Sequence, residues 1–259
     1  MLFVIDIGNT NIVMGVYRGN NLEHCWRIST DTNKTSDELG VLLSQLLGYK
    51  GISFKDINSV VISSVVPTIM SDLETMCEEY IGIKPLIIGP DIRTGLVVKF
   101  DNPKEIGADR IVNAVAAIEK YSVPAIIVDF GTATTFDAIS PEKHYLGGAI
   151  TPGIGISMDA LFSKAAKLPR VELKKPDSVI GKNTVKCMQA GILYGYIGQV
   201  DGIVSRMKRE LGGLPVAIAT GGLAGFIAPY CDTVDHIDPY LTLEGLKIIF
   251  ERNEHQMGE

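Results

Sequence analysis

The feature that most constrains this chain is that it repeats itself. Residues 2–13, LFVIDIGNTNIV, align with residues 125–136, AIIVDFGTATTF, so that Asp6 falls on Asp129 and Gly8 on Gly131. In each copy an apolar run leads to an acid, a glycine-containing polar turn and a second apolar stretch. The offset is close to half of the 259 residues. An apolar run ending in Asp-x-Gly is common at strand ends, so the pair alone leaves coincidence open. Duplication is the simplest account: two similar domains, each opening with a strand, a turn and a returning strand.

The remainder of each half follows one order. In the first, 12–18 and 22–28 read as strands joined by Gly19-Asn20-Asn21. Leu39, Leu42, Leu43, Leu46 and Leu47 fall on one helical face over 36–48, with Ser36 as N-cap and Gly48 as stop. A strand at 59–63, a helix from Pro67 to Tyr80, a strand at 85–89 and a helix at 104–120 follow. In the second half, strands fall near 124–129, 133–139 and 144–151, then a helix from near Gly155 and a long one over 183–211. A strand at 215–220, a short helix, a strand near 233–237 and a helix over 241–252 complete it. The tail from Glu251 is expected to fray. This order predicts an α/β protein: residues 1–116 and 117–259 each form a mixed five-stranded sheet flanked by helices, with a ligand cleft between the two.

Composition narrows the function. The net charge is -6 and no Lys/Arg run occurs, which argues against nucleic acid as partner. Cys25, Cys77, Cys187 and Cys231 show no CxxC or metal-ligand spacing, and suit a reducing compartment. Residues 2–5 are apolar but Asp6 follows at once, unlike a signal peptide, and no window approaches a membrane span. The expectation is a cytoplasmic protein that engages no membrane. His24, His144, His236 and His255 show no triad or metal spacing and are taken as non-catalytic.

Three turns carry candidate chemistry. At Asp6-Ile7-Gly8-Asn9-Thr10-Asn11, small residues let backbone N–H groups approach phosphate oxygens, and the side chains add donors. Asp6 stands where it could hold Mg²⁺ through water. The same residues also suit a plain hairpin. Asp129-Phe130-Gly131-Thr132 again sets an acid before glycine and hydroxyls, and two such turns across a cleft could grip a triphosphate. Gly221-Gly222, between a strand and a helix, could lie beneath adenine or ribose, or be only a tight turn. No GxxxxGK[ST] or GxGxxG pattern is present. Gly107-Ala108-Asp109-Arg110 opens a helix. Asp109 either complements the helix dipole or takes the proton of an acceptor hydroxyl. Arg110 either binds a carboxylate or forms a surface ion pair.

Together, DIGNTN (6–11), FDNPKEIGADRIVNA (100–114), DFGTATTFD (129–137), GGAITPG (147–153), GKNT (181–184) and ATGGLAG (219–225) resemble the type III pantothenate kinases, within the acetate and sugar kinase/Hsp70/actin superfamily. The resemblance spans nearly the whole chain. It implies two actin-like, ribonuclease H-like domains and ATP-dependent phosphorylation of pantothenate, the first step toward coenzyme A. It further implies that Asp6 through Asn11, continuing into Ile12 and Val13, contact ATP with Thr132. Asp109 would be the base, and Phe100, Gly107, Ala108, Arg110 and Thr184 would meet pantothenate. Asp129 would help bind a monovalent cation, K⁺ or ammonium, and the chain would act as a homodimer. Two other readings remain: a regulatory binding protein on the same fold, and a kinase for another small alcohol. The presence of Asp6, Asp109, Asp129 and Thr132 favours an enzyme. Phe100 beside Asp101-Asn102 suggests a partly apolar acceptor pocket.

Overall fold

The computed structural model describes residues 1–254. The chain forms two compact units. The first comprises residues 1–96, 102–116 and the segment from Leu241; the second comprises 97–101 and 117–240.

In the first unit, β1 (Leu2–Ile7) pairs antiparallel with β2 (Asn11–Arg18), which pairs with β3 (Asn21–Ser29). On its other side β1 pairs in parallel with β4 (Ser59–Ser64), and β4 with the two-residue β5 (Leu86–Ile87). The order is β3-β2-β1-β4-β5. Because β1 is central and covered on both faces, it is apolar at nearly every position rather than at alternate ones. Phe3, Ile5 and Ile7 pack with Leu39, Leu43 and Leu47 of α1 (Ser36–Gly48) and with Leu73 and Met76 of α2 (Met70–Met76). Val4 and Val61 pack on the other face with Val112 and Val115 of α3 (Ala108–Lys120).

The cap of α1 is Thr35 rather than Ser36. Its side chain accepts from Glu38 N–H while Glu38 accepts from the Thr35 N–H, a reciprocal box that needs the acid three residues on. The helix expected from Pro67 begins as a 3₁₀ turn, continues as α2, and widens to a π turn over Cys77–Ile81. A left-handed Gly82 ends it.

The second unit repeats the first. β7 (Ala125–Phe130), β8 (Ala133–Ile139) and β9 (His144–Pro152) form an antiparallel meander, and β10 (Val216–Thr220) lies parallel to β7 with β11 (His236–Ile237) beyond it. One strand more is present than the repeat predicts. β6 (Val97–Val98) adds in parallel to the free edge of β9, giving the six-stranded order β11-β10-β7-β8-β9-β6. Between β9 and β10 come α4 (Ile154–Lys164) and the 28-residue α5 (Thr184–Leu211), and after β10 the short α6 (Ala224–Ile227). Ile126, Val128 and Phe130 pack against Tyr196, Val200 and Val204 of α5.

The C-terminal helix α7 (Leu241–Asn253) does not stay with the half that precedes it. Leu243, Leu246 and Ile249 pack with Val4 and Val112 in the first unit. Nor do Glu251–Asn253 fray: Asn253 is buried, accepts the Arg93 N–H at 3.2 Å and donates to the Arg93 carbonyl at 2.9 Å. His255 lies outside the described residues.

The docking of α7 on α3 depends on Gly245, where a Cβ would run into the carbonyl of Val112 and come within 2.7 Å of its Cγ1. Gly245→Ala is therefore expected to destabilise the protein by about 1–3 kcal/mol, as overpacking does. Urea unfolding would show a lower midpoint with an unchanged m-value.

Candidate active site

β1 carries Asp6 to the carboxyl end of the first sheet. Its in-register neighbours are Val13 on β2 and Ser63 on β4, and Val13 is in turn opposite Arg27 on β3. Opposed residues share a face, so Asp6, Ser63, Val13 and Arg27 stand in one row. Ser63 is fully buried and its hydroxyl donates to Asp6 Oδ1. Protein surrounds this carboxyl although an edge of the residue reaches solvent. Burial pushes it up to about 7, the Ser63 hydrogen bond restrains the rise, the charge of Asp109 adds to it and Arg27 opposes it.

The turn after Asp6 is a hairpin closed by Gly8 N–H to the Asn11 carbonyl at 3.0 Å. It is fastened from β3: Thr30 donates its hydroxyl to the Gly8 carbonyl at 2.6 Å and its N–H to the Thr10 carbonyl at 3.0 Å. A trans peptide is planar, so fixing the Gly8 carbonyl toward Thr30 turns the Asn9 N–H the other way. Asn9 and Thr10 are exposed. Ile7 and Ile12 are core side chains and can offer a ligand only backbone. Val13 packs beneath the face that carries Asp6.

Asp109 lies in the first turn of α3, part-buried. Its Oδ1 accepts the Arg110 N–H at 2.8 Å and occupies the space a Cβ on Gly107 would fill. Burial raises its proton affinity, while the Arg110 N–H and guanidinium hold it back. Arg110 is itself buried, and its charge acts on Asp109. The first unit thus brings together two carboxyls, Asp6 and Asp109, close enough for one charge to oppose the other.

In the second unit Asp129 has the corresponding place at the end of β7, in register with Thr135 on β8 and Thr220 on β10. Gly221 adopts φ +90°, and a Cβ there would strike Asp129 Oδ1 and the backbone of Phe130. The residue must be glycine on both counts. Gly222 and Thr132 are exposed. The Thr132 carbonyl accepts the Gly153 N–H at 3.1 Å, which ties this turn to the end of β9.

Phe100 also belongs to the second unit, where its ring stands 6.3 Å from that of Tyr145. The Tyr145 hydroxyl donates to the fully buried Asp137 at 2.7 Å. Thr184 is exposed in the first turn of α5, behind the N-cap Asn183. His24 and His236 lie at a tilt beside the rings of Trp26 and Tyr121. Among the described residues no group of three or more His, Cys, Asp or Glu could hold a metal ion. Sequence reasoning missed Ser63 and Thr30. Both are hydroxyls at strand ends, and only the strand order shows that they meet the first turn.

A family model for the type III pantothenate kinases matches residues 2–206. The type III pantothenate kinase of Bacillus cytotoxicus is 59% identical over 262 residues, covering 100% of both chains. A crystal structure described as a conserved Baf family transcriptional activator, from Campylobacter jejuni, superposes with a TM-score of 0.61 at 21% identity, covering 98% of this chain and 99% of that one. An archaeal actin homolog gives 0.52 at 15% identity, covering 97% and 99%. These last two show the fold, which is of the actin type.

The raised proton affinity of Asp6 makes a stability prediction. Folding lifts this group from near 3.8 to about 7, so its contribution is full below the lower value and is lost as pH rises through the upper one. Asp6→Asn keeps an acceptor for Ser63 and removes the penalty. Each tenfold change in proton affinity corresponds to about 1.4 kcal/mol. The variant is therefore expected to be more stable than the wild type at pH 8 by a few kcal/mol, and to lose that advantage at pH 4. Chemical denaturation at the two pH values checks this.

Proposed function

This chain belongs to the type III pantothenate kinase family, and we propose that it performs the family's reaction with Asp109 as base and the Asp6–Asn11 turn as a nucleotide contact. The reaction moves the γ-phosphoryl group of ATP onto the terminal hydroxyl of pantothenate and opens coenzyme A biosynthesis. The hydroxyl oxygen bonds to phosphorus, ADP departs, and the hydroxyl proton passes to Asp109. Such transfers need little covalent help, only positioning, neutralised charge and a place for the proton. The observation that carries the assignment is Asp109 itself. It is a part-buried carboxyl of raised proton affinity, seated against a glycine and coupled to a second acid at the end of a central strand.

Asp6 suits Mg²⁺, which keeps most of its waters and takes one or two carboxylates with substrate phosphates; the bound ion would neutralise charge on those phosphates. The turn from Gly8 to Asn11 offers N–H and hydroxyl donors to the triphosphate, and in the second unit Thr132 offers a hydroxyl to ATP. Gly221-Gly222 presents bare backbone to the nucleoside. Asp129, a hard oxygen donor, would hold the monovalent cation, whose charge would stand in for the lysine that both turns lack. Arg110 takes the pantothenate carboxylate, with Gly107 and Ala108 beside it, and Phe100 offers the apolar chain a ring.

A coupled assay with ATP, Mg²⁺, K⁺ and pantothenate tests the reading. ADP release should depend on pantothenate and not be matched by sugars. Asp109→Asn should lower turnover by about 10²–10⁴-fold while nucleotide binding survives. Replacing K⁺ by Na⁺ should depress the wild-type rate. A near-normal kcat in the Asn variant would remove Asp109 from the role of base.

The homodimer has its own support. Ile156 is 47% exposed, Val179 63%, Ile180 80% and Val185 42%, an apolar stretch along α4, the 165–183 segment and the start of α5, where Thr184 lies. A second copy covering this face would bring Thr184 to a substrate. No helix among the described residues is long and apolar enough to cross a membrane, and all four cysteines are unpaired, in keeping with the cytoplasm. Ile180→Asp is expected to convert the dimer to monomer by light scattering and to raise KM for pantothenate. A dimer unchanged at micromolar protein would place the contact elsewhere.

A further inference from the structure

Neither phosphate turn contains a lysine or arginine, yet a triphosphate brings several negative charges. The first unit holds an uncommitted cation beside one of these turns. Arg27 is exposed on β3 and makes no hydrogen bond or ion pair among the described residues. Its position is fixed by register rather than by chance proximity. Asp6, Val13 and Arg27 are opposed across three adjacent strands and share a face. The irregularity in the β2–β3 ladder lies between Val16 and Tyr17, so it does not disturb this row.

Strands lie roughly 4.8 Å apart, which places the Arg27 backbone about two spacings from that of Asp6. An arginine side chain extends over most of that distance. Asn11, which ends the turn, is opposite Ser29, so Arg27 is its diagonal neighbour, at a separation long side chains bridge. Trp26 and Ile28, on the other face of β3, pack into the core and leave the strand no freedom to rotate. The field of Arg27 is felt at the Asp6 carboxyl.

We infer that Arg27 is a phosphate-contacting residue, whose guanidinium binds a β- or γ-phosphate oxygen of the nucleotide held by the Asp6–Asn11 turn. The inference rests on the ATP reading above. A planar guanidinium suits phosphate oxygens, and placing it on the neighbouring strand leaves the turn free of bulk, so backbone N–H groups still approach closely. Thr30 reinforces the arrangement, because it anchors the turn to the strand that carries Arg27.

The test compares wild type, Arg27→Ala and Arg27→Lys by calorimetry with a non-hydrolysable ATP analogue plus Mg²⁺, and with adenosine. Arg27→Ala should weaken the triphosphate about tenfold or more, as loss of a charge-assisted contact does, and leave adenosine unchanged. Arg27→Lys should recover part of the loss, and the loss should shrink at high salt. Melting temperatures should change little, since the exposed side chain has no hydrogen bond to lose, only a charge interaction with Asp6. Equal affinity of wild type and Arg27→Ala for the triphosphate would overturn the inference while leaving the kinase reading intact. So would a weakening shared equally by adenosine. A wild-type protein that binds no ATP analogue would overturn both.

Discussion

Everything chemical in this molecule depends on where a central strand can leave an acid. β1 is hydrogen-bonded to an antiparallel strand on one side and a parallel strand on the other. Its chain therefore turns back at once into β2, while β4 arrives from a distant crossover and ends at the same level. The carboxyl end of β1 is where these connections part, and that is where ligands bind in open α/β sheets. A side chain there is flanked by a strand end on each side, so Asp6 meets Ser63 without any loop having to fold over it. β7 repeats the arrangement, with β8 antiparallel and β10 parallel, and Asp129 stands beside Thr220.

The two acids share a place but not an environment. Burial pushes the Asp6 carboxyl up to about 7, with the Asp109 charge adding to the rise and the buried Ser63 hydroxyl restraining it. Asp129 is bordered by Gly221, whose missing Cβ leaves room for the carboxyl and whose backbone adopts a conformation other residues resist. The same device occurs twice, and local packing differs between the two copies. Near Asp6 the cost is electrostatic, a buried acid that the folded chain would rather keep protonated. Near Asp129 the constraint is steric. In the first unit the cost is offset by the apolar sheet faces of Phe3, Ile5 and Val4, which are covered on both sides. A site of this kind is maintained against the stability of its own domain.

The two sheets were legible because the apolar-run-acid-glycine pattern recurs at one offset, and periodicity then placed the long helices. What escaped was set by tertiary pairing. The two-residue strand Val97–Val98 is too short to show alternation, whereas the short strands Leu86–Ile87 and His236–Ile237 fall inside the expected ranges 85–89 and 233–237. Val97–Val98 becomes a strand only because β9 offers an edge. The placement of α7 is decided by Gly245 fitting against Val112, a contact no local pattern announces. Likewise Thr35 rather than Ser36 caps α1, because Glu38 must be three residues beyond the cap.

The candidate site residues divide along the same line. Asp6, Asp109 and Asp129 were visible because each belongs to a short contiguous motif. Ser63 and Thr30 were not, since each meets the first turn from a different strand. Even the repeat could not reveal Ser63 through Thr220. Insertion of α4 and the 28-residue α5 before β10 destroys the common offset that linked Asp6 to Asp129. Motifs in one chain segment disclose which atoms can react, whereas register between strands decides what steadies them. A second-unit equivalent of any residue on β1 or β2 can thus be found by counting, but one on β4 must be found through the sheet.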